Sequence, residues 1–499
     1  MIEQFADGFM MALRLDTFLM MGAGLFFGML VGSLPGFTTL MAMAILLPVS
    51  FFLEPVVGIP FLLGIYKGGI FGGSIPAILV SMPGTGAAVA TTFDGHALTK
   101  KGQSRKALDI ALFSSIFGDL SSDIFTIMMI FPIALLVMQF GPPELAAILF
   151  MSLIVIAATS GSNPIKGLIM MTLGLWLSFV GTDPLGGVER FTFGLFELKS
   201  GIPLLPMLIG VFALPEIVSV IGRKVDAESM TRIVGERLKF AEFKRCFRTI
   251  CRSTVIGTGI GIIPGLGQVV AAMMGYTAAK NASKSPEKFG KGEIEGVAAA
   301  EAANNAVNGP TLVPLLTLGI PGDNITAILL GAFVAQGLRP GPQLFEDQGA
   351  IVFAILTAMV IANLLFLVIG YLTIPFFARI VTIRNALLIP IVIMFAFAGS
   401  YVFRSDPVDL LMLVGFGAFG VIARAARFEV MPMVMGFILG APLEYAFGQT
   451  IAMSEGNLLT FALTERQGML AIVVATPLIG YYLWRRMAML SKRRLGQQA

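Results

Sequence analysis

Residues 296–344 read GVAAAEAANNAVNGPTLVPLLTLGIPGDNITAILLGAFVAQGLRPGPQL. The stretch is apolar enough for a bilayer. Yet Gly309, Pro310, Pro314, Pro321 and Gly322 interrupt it, and Glu301, Asn304, Asn305, Asn308, Asp323 and Asn324 set polar groups around the interruptions. Where a helix breaks at membrane depth, backbone N–H and C=O groups lose their i−4 partners, so the break persists only where protein, water or a ligand satisfies them. An ionisable residue beside it costs roughly 2.5–3.5 kcal/mol on insertion scales and marks a candidate functional site. One Pro-Gly step alone fits a proline-kinked span inside a bundle equally well. Several breaks, each with polar company, favour a binding region.

The rest of the chain is membrane-like. Of 499 residues 56% are hydrophobic and only 13% charged, against roughly 25% charged in globular proteins. The mean hydropathy is +0.87. Apolar runs long enough for a ~30 Å hydrocarbon core recur throughout, so the sequence predicts an all-α polytopic protein in a lipid bilayer. Basic residues collect at 99–106, 223–252, 280–291 and the C-terminus, the pattern of cytoplasmic loops and not of a nucleic-acid surface. Cys246 and Cys251 form no disulfide framework or metal pattern, and the single histidine, His96, argues against a histidine-based metal centre or triad. The N-terminus carries acids ahead of its first apolar run, so no signal peptide is expected.

In chain order, a run at 17–53 is split by Gly32-Ser33-Leu34-Pro35-Gly36. A second, 58–98, contains Gly68-Gly69, Gly72-Gly73-Ser74, Pro76 and Ser81-Met82-Pro83-Gly84-Thr85-Gly86. Ordinary spans are expected at 107–140, 145–160, 164–181 and 201–222, then a basic amphipathic linker helix at 223–252. A second broken block covers 253–338, followed by spans at 350–378, 385–400, 408–423, 429–447 and 467–486.

The broken blocks match. Gly32-x-x-Pro35-Gly36 answers to Gly261-x-x-Pro264-Gly265 at an offset of 229 (264 − 35), and Met82-Pro83-Gly84 to Ile320-Pro321-Gly322 at 238 (321 − 83). Corresponding Gly/Pro-interrupted segments in two halves point to a transporter's binding site. The expected organisation is an N-terminal membrane repeat (1–222), the linker (223–252) and a C-terminal membrane repeat (253–499). Acids flank the first split run and bases its counterpart, which predicts opposite orientation. Each run would be a re-entrant hairpin with Pro-Gly at its tip, followed by a broken transmembrane helix. Counting spans puts 141–144, 182–200, 343–349, 401–407 and 441–466 outside, and 161–166, 379–384, 424–427 and the C-terminus inside.

A helix that starts after a break presents free N–H groups worth about half a positive charge, and one that stops presents carbonyls. Carboxylates suit the first kind of end and a small cation the second. The candidate substrate residues are therefore the breaks Pro35, Gly36, Pro83, Gly84, Pro264, Gly265, Pro321 and Gly322. With them go the polar or small residues beside them, Thr38, Thr39, Lys67, Ser74, Thr85, Gly86, Gly267, Gln268, Asp323 and Asn324. Thr, Asn and Asp also cap helices without touching ligand. Glu301, Asn304 and Asn305 offer oxygens for sodium and an amide for a carboxylate, or serve as inter-helix hydrogen-bond glue. Asp119 and Asp123, four apart, are further candidates for proton or sodium coupling, unless they lie near an interface.

GGSIPAILVSMPGTGAAVATTFDGHALTKKG, GIIPGLGQVVAAMMGYTAAKN, EKFGKGEIEGVAAAEAANNAVNGPTLVPLLTLGIPGDN and GLRPGPQLF resemble the large membrane subunit of tripartite tricarboxylate transporters over nearly the whole chain. The resemblance implies a permease of the bacterial inner membrane that works with a small membrane subunit and a periplasmic solute-binding protein. It further implies secondary active uptake of a di- or tricarboxylate or related organic anion. The drive it implies is a sodium or proton gradient, with no other cofactor and no enzymatic activity expected. No G-x-x-x-x-G-K-[ST] loop is present, in agreement. An anion channel and a membrane-embedded enzyme are the competing classes. The chain departs from the family's habit at Lys67, where an aromatic is usual, and at Asp323-Asn324, where small or hydroxyl residues are. Lys67 and Asp323 are expected to pair or to share in charge coupling.

Overall fold

The computed structural model describes residues 2–159, 163–183, 185–221, 233–380 and 385–498. The first part is helical: α1 (Ile2–Ala12), α2 (Leu15–Gly32), α3 (Thr39–Ser50), α4 (Pro55–Gly72), α5 (Ser74–Val80), α6 (Ala88–Lys100) and α7 (Ser104–Val137). Then come α8 (Pro142–Thr159), α9 (Pro164–Ser178), a two-stranded hairpin of β1 (Gly181–Thr182) and β2 (Glu189–Arg190), and α10 (Leu204–Val220). The second broken block supplies α11 (Phe240–Gly261), α12 (Gly267–Ala282), α13 (Ile294–Asn305), α14 (Leu312–Leu318) and α15 (Asn324–Ala335). It is followed by α16 (Gln343–Asp347), α17 (Gly349–Ile380), α18 (Asn385–Arg404), α19 (Pro407–Ala425), α20 (Met431–Met453), α21 (Leu458–Thr464) and α22 (Gln467–Gln498). Among the described residues seven helices are long and apolar enough to cross a membrane, and α21 with α22 makes a further pair bent by 107°.

Two compact units emerge, Met1–Ile133 with Phe212–Ser405, and Ala134–Val211 with Asp406–Ala499. Each therefore draws on both halves of the chain, cutting across the repeat boundaries read from sequence. Residues 222–232 of the expected linker lie outside the described residues. The remainder is no separate element, because α11 runs unbroken from Phe240 in the basic segment to Gly261 at the Pro-Gly step.

In the first unit α4 is the centre: every residue from Val56 to Gly72 is buried. It is held by α2 through two interlocked small-residue rows. Gly24, Gly28 and Gly32 recur every fourth position on α2, as Gly64, Gly68 and Gly72 do on α4. A Cβ at Gly28 would lie 2.4 Å from the Ile65 carbonyl oxygen, and one at Gly68 2.2 Å from that of Leu25. Rows of this kind let membrane helices approach to backbone contact, where dispersion replaces the missing hydrophobic drive.

The packing recurs in the second block with the offsets of the sequence match. Gly257 abuts the Ala303 oxygen (2.2 Å from its Cβ position) as Gly28 abuts Ile65, and Gly261 abuts Val307 as Gly32 abuts Gly69. Gly36 and Gly265, at the two Pro-Gly steps, have φ of 88° and 83°, a region that glycine alone enters freely. The seven-residue helices α5 and α14 both end in left-handed residues, Ser81 and Gly319. One expected break is absent: Gly73 stays helical (φ −64°, ψ −19°), so Gly72-Gly73-Ser74 lies inside one long span, Pro55–Val80.

α7 turns its polar face inward. Ser115, Asp119, Ser122, Asp123 and Thr126 are buried while Ile124, Met128, Leu135 and Leu136 are exposed, the reverse of a water-soluble helix and the arrangement a lipid surround favours. α1, not expected from sequence, lies along α17, with the Phe5 and Phe353 rings 5.2 Å apart.

In the second unit α20 packs on α8 and α9, and α22 on α8. Gly174 and Gly436 bring α9 and α20 to backbone contact. Arg190 of the hairpin forks onto Glu444 of α20 at 2.6 and 3.0 Å.

Candidate functional site

The breaks of the first unit gather three polar groupings. The first is fully buried: Lys67 Nζ, on α4, donates to Asp119 Oδ2 and Asp123 Oδ2 of α7, at 2.7 Å each. Asn308, in the turn between α13 and α14, donates to Asp119 Oδ1 at 3.0 Å, and Asn363 of α17 to Asp123 Oδ2 at 2.6 Å. Asp123 Oδ1 and the amide oxygens of Asn308 and Asn363 have no partner. The chain must solve a problem here, because an ammonium in a wholly buried helix costs several kcal/mol unless paired. Two aspartates one turn apart on the inward face of α7 are the solution.

The second grouping centres on Glu301 of α13. Its carboxylate accepts from Ser74 Oγ (2.6 Å), Thr91 Oγ1 and Ser115 Oγ (3.0 Å), three hydroxyls from α5, α6 and α7. Asn305 Nδ2 donates to Ser115 Oγ at 2.9 Å and to the Glu301 carbonyl at 3.0 Å. The neighbouring Asn304 is buried with both side-chain polar atoms unpartnered.

The third grouping reaches the surface. Tyr66 OH donates to Asp323 Oδ2 at 2.7 Å, and Gln268 Nε2 donates to the same oxygen at 2.6 Å and to Tyr66 OH at 2.5 Å. Asp323 also caps α15: its Oδ1 accepts from Thr326 N at 2.7 Å, while Thr326 Oγ1 accepts from Asp323 N at 2.9 Å. Of the helices that follow a break, α3 is capped by Thr38, α15 by Asp323, and α6 receives Thr85 Oγ1 at Ala88 N (3.2 Å). The start of α12, at Leu266–Gln268, has no side-chain cap. Gly86 stands beside it, its Cβ position 3.1 Å from Val269. Gly265 N donates to Gly322 O at 2.8 Å, tying this tip to the α14–α15 break.

The candidates thus divide by access. Gly36, Thr38, Pro83, Thr85, Pro264, Gly265, Gly267 and Gln268 are half-buried, and Gly86 and Asn324 exposed. Pro35, Thr39, Lys67, Ser74, Gly84, Asp119, Glu301, Asn304, Asn305, Pro321, Gly322 and Asp323 are buried. Two expectations change. Lys67 bonds to the α7 aspartates and not to Asp323, because the adjacent Tyr66 takes the Asp323 side. Asp119 and Asp123, expected to be open to solvent if they lay near an interface, are 0% and 1% exposed, enclosed by protein. Tyr66, Thr91, Ser115, Asn308 and Asn363 were not picked out as partners by the sequence reading. The inward stripe Ser115-x3-Asp119-x2-Ser122-Asp123-x2-Thr126 carried the signal for α7.

The model of the tripartite tricarboxylate transporter TctA family matches residues 18–435. That range holds all three groupings. The chain belongs to this family. An Agrobacterium vitis relative, described as an uncharacterized 52.8 kDa protein in the TAR-I ttuC′ 3′ region, is 35% identical over 462 residues, 92% of each chain. A second from the same organism, described as an uncharacterized protein in the TAR-II ttuC′ 3′ region, is 37% identical over 205 residues, 41% of this chain and 85% of the relative. No solved structure matches.

In this TctA-family chain Asp94, which opens the stretch Asp94-Gly95-His96-Ala97-Leu98, is structural. Its Oδ1 accepts from the N–H groups of Gly292 and Glu293 (2.8 Å each) just before α13, and its Oδ2 from Tyr276 OH at 2.9 Å. A residue of the first broken block therefore caps the central helix of the second. His96, two positions on, contacts the Ile78 carbonyl at 3.3 Å.

Proposed function

We propose that the chain is the permease subunit of a secondary transporter that takes up a di- or tricarboxylate or related organic anion. It works with a small membrane subunit and a periplasmic binding protein, in a bacterial inner membrane, with the two broken blocks running in opposite directions. The carboxylate is received at the uncapped start of α12, by the N–H groups from Gly267 onward, Gln268 and the adjoining Thr85-Gly86 loop. The observation that supports this most is the pairing of an accessible, uncapped helix start with an amide donor whose other contacts are Tyr66 of α4 and Asp323 at the α14–α15 break. A helix start of this kind favours anions by about 0.3–1 kcal/mol, before direct hydrogen bonds are added. The buried polar core, with Glu301, Asn304, Asp323 and Asp119, serves the driving ion.

The test is uptake of labelled carboxylates into proteoliposomes holding this chain, the small subunit and the binding protein, under an imposed ion gradient. Saturable, gradient-driven uptake is expected, and Tyr66→Phe or Gln268→Ala should raise KM roughly 10- to 150-fold, one lost hydrogen bond to a charged group. Passive anion conductance would show a channel instead, chemical conversion of the anion an enzyme, and an unchanged KM in both variants would move the substrate site elsewhere.

A further inference from the structure

We propose that the Lys67–Asp119–Asp123 triad carries the coupling ion, that this ion is a proton, and that Asp123 is the carboxyl that gains and loses it. The inference rests on the permease reading above and adds the identity and seat of the ion.

With all three side chains ionised the triad holds one negative charge in excess, in a setting where none is more than 1% exposed. An uncompensated buried charge is too costly to persist, so one more positive charge belongs there. Three of the four carboxylate oxygens already have donors. Asp119 Oδ2 and Asp123 Oδ2 take the ammonium, Asp123 Oδ2 also takes Asn363, and Asp119 Oδ1 takes Asn308. The fourth, Asp123 Oδ1, takes none. It is the one carboxylate oxygen of the triad that no donor occupies.

Two features select a proton over a metal ion. Lys67 Nζ, 2.7 Å from an oxygen of each aspartate, occupies the place between the carboxylates that a sodium ion would need. Backbone closes the other side, since a Cβ on Gly309 would sit 2.7 Å from Asp123 Oδ1. Sodium would have to displace the lysine, whereas a proton displaces nothing. The step is simple in its balance: a proton from water on one side of the membrane adds to the Asp123 carboxylate, taking the triad from −1 to neutral, and leaves to water on the other side. The groups facing the triad are Asn308 from the α13–α14 turn, Asn363 from α17, Ser122 and Thr126 on α7, and Tyr66, the residue before Lys67 on α4. Tyr66 is the one titratable neighbour among them.

The geometry also connects this seat to the surface. Tyr66 and Lys67 are consecutive on α4, one holding Gln268 and Asp323, the other the aspartates. A carboxylate arriving at Gln268 competes for the donor that Tyr66 and Asp323 use, and so acts on the helix that carries Lys67.

The experiment compares wild type with Asp123→Asn in proteoliposomes holding all three components. Wild type should accumulate the carboxylate under a pH gradient without sodium. Asp123→Asn, which fixes the charge of the protonated form, should lose gradient-driven uptake roughly tenfold or more, and its substrate exchange should no longer vary with pH. pH-driven uptake of normal size in Asp123→Asn overturns the proposal. If that variant does not assemble, infrared difference spectra of the wild-type complex decide. A protonated-carboxyl band should grow as pH falls and shift in Asp123→Glu, and a missing or unshifted band overturns the proposal. Wild-type uptake that follows sodium and ignores pH overturns the proton assignment but leaves the permease reading standing. No carboxylate uptake under any gradient overturns both.

Discussion

Gly257→Ala and Gly259→Ala differ by two positions on one helix, and the structure gives them opposite consequences. A Cβ at Gly257 would lie 2.2 Å from the Ala303 carbonyl oxygen and 2.9 Å from Ala306 Cβ. Since an unstrained carbon–oxygen contact is about 3.3 Å, α11 and α13 must part by about 1 Å to admit it. The neighbour in the way is helix backbone, which has no rotamer to retreat into, so the cost should match other overpacking, ~1–3 kcal/mol. A Cβ at Gly259 meets nothing within 4 Å. There alanine gains up to ~1 kcal/mol from helix propensity. The two variants should therefore differ by ~1–4 kcal/mol, in opposite directions from wild type.

The choice of probe matters. Both tryptophans, Trp176 and Trp484, belong to the other unit, so their fluorescence does not report on α11. Cys246 does: it is fully buried in α11. In a Cys251→Ser background, its maleimide labelling during titration with SDS gives an unfolding midpoint for this part of the molecule. The midpoint should fall for Gly257→Ala and hold or rise for Gly259→Ala. Gly28→Ala, the counterpart contact on α2, should behave like Gly257→Ala. Equal midpoints for the first two would mean that α11 and α13 do not touch at backbone distance, and the recurrence of packing between the two blocks would lose its second member.

Two further outcomes follow from the buried polar groups. Asp94→Asn replaces one acceptor oxygen of a carboxylate that takes three donors by an N–H₂, at about 1–3 kcal/mol. The 283–293 loop should then be cut faster by trypsin at Lys284, Lys288 and Lys291, and a double-mutant cycle with Tyr276→Phe should be non-additive; additivity would mean the two do not share a bond. Lys67→Met leaves two aspartates buried without their cation and should cost ~3–5 kcal/mol, most of it regained when Asp119→Asn and Asp123→Asn are added. Combined with Asp323→Asn, by contrast, Lys67→Met should be additive in stability, as no bond joins them. Strong coupling in that pair, measured by the same SDS titration, would contradict the partner assignment.

Much of this was legible in the chain because membrane segments carry their limits in composition. The expected span at 107–140 is Ser104–Val137, and the one at 350–378 is Gly349–Ile380. The Pro-Gly steps at 35–36 and 264–265 do end helices, since proline denies the next turn its donor and glycine supplies the positive φ. Glycine, though, has two uses. The every-fourth-residue rows at Gly24–Gly32 and Gly64–Gly72 are a packing signal, and reading Gly72-Gly73 as a break mistook close approach for interruption. Partners were the harder matter. That Lys67 needs an anion follows from its burial, but which anion depends on the face that α7, some fifty residues away (119 − 67 = 52), presents to α4. Only the assembled helices decide that.

The rows of glycine bear on how α4 moves as well as on how it packs. Tyr66 and Lys67 differ by about 100° around the helix, so one faces the accessible tips and the other the buried triad. α4 can transmit a displacement between them only if it shifts as a rigid body. Relative to α2 it resists sliding by less than a helical turn, because Cβ positions at Gly24, Gly28 and Gly32 already stand 2.1–2.4 Å from α4 carbonyl oxygens, and a shift out of the four-residue register drives larger side chains into the same space. For displacements smaller than a turn, α2 and α4 are therefore expected to move together. The Pro-Gly tip at the end of α2 is carried with them, as are Tyr66's hold on Gln268 and Asp323 and Lys67's hold on Asp119 and Asp123. On the proposal above, a ligand that alters the first hold would act on the second through one stiff pair of helices, with no softer element between.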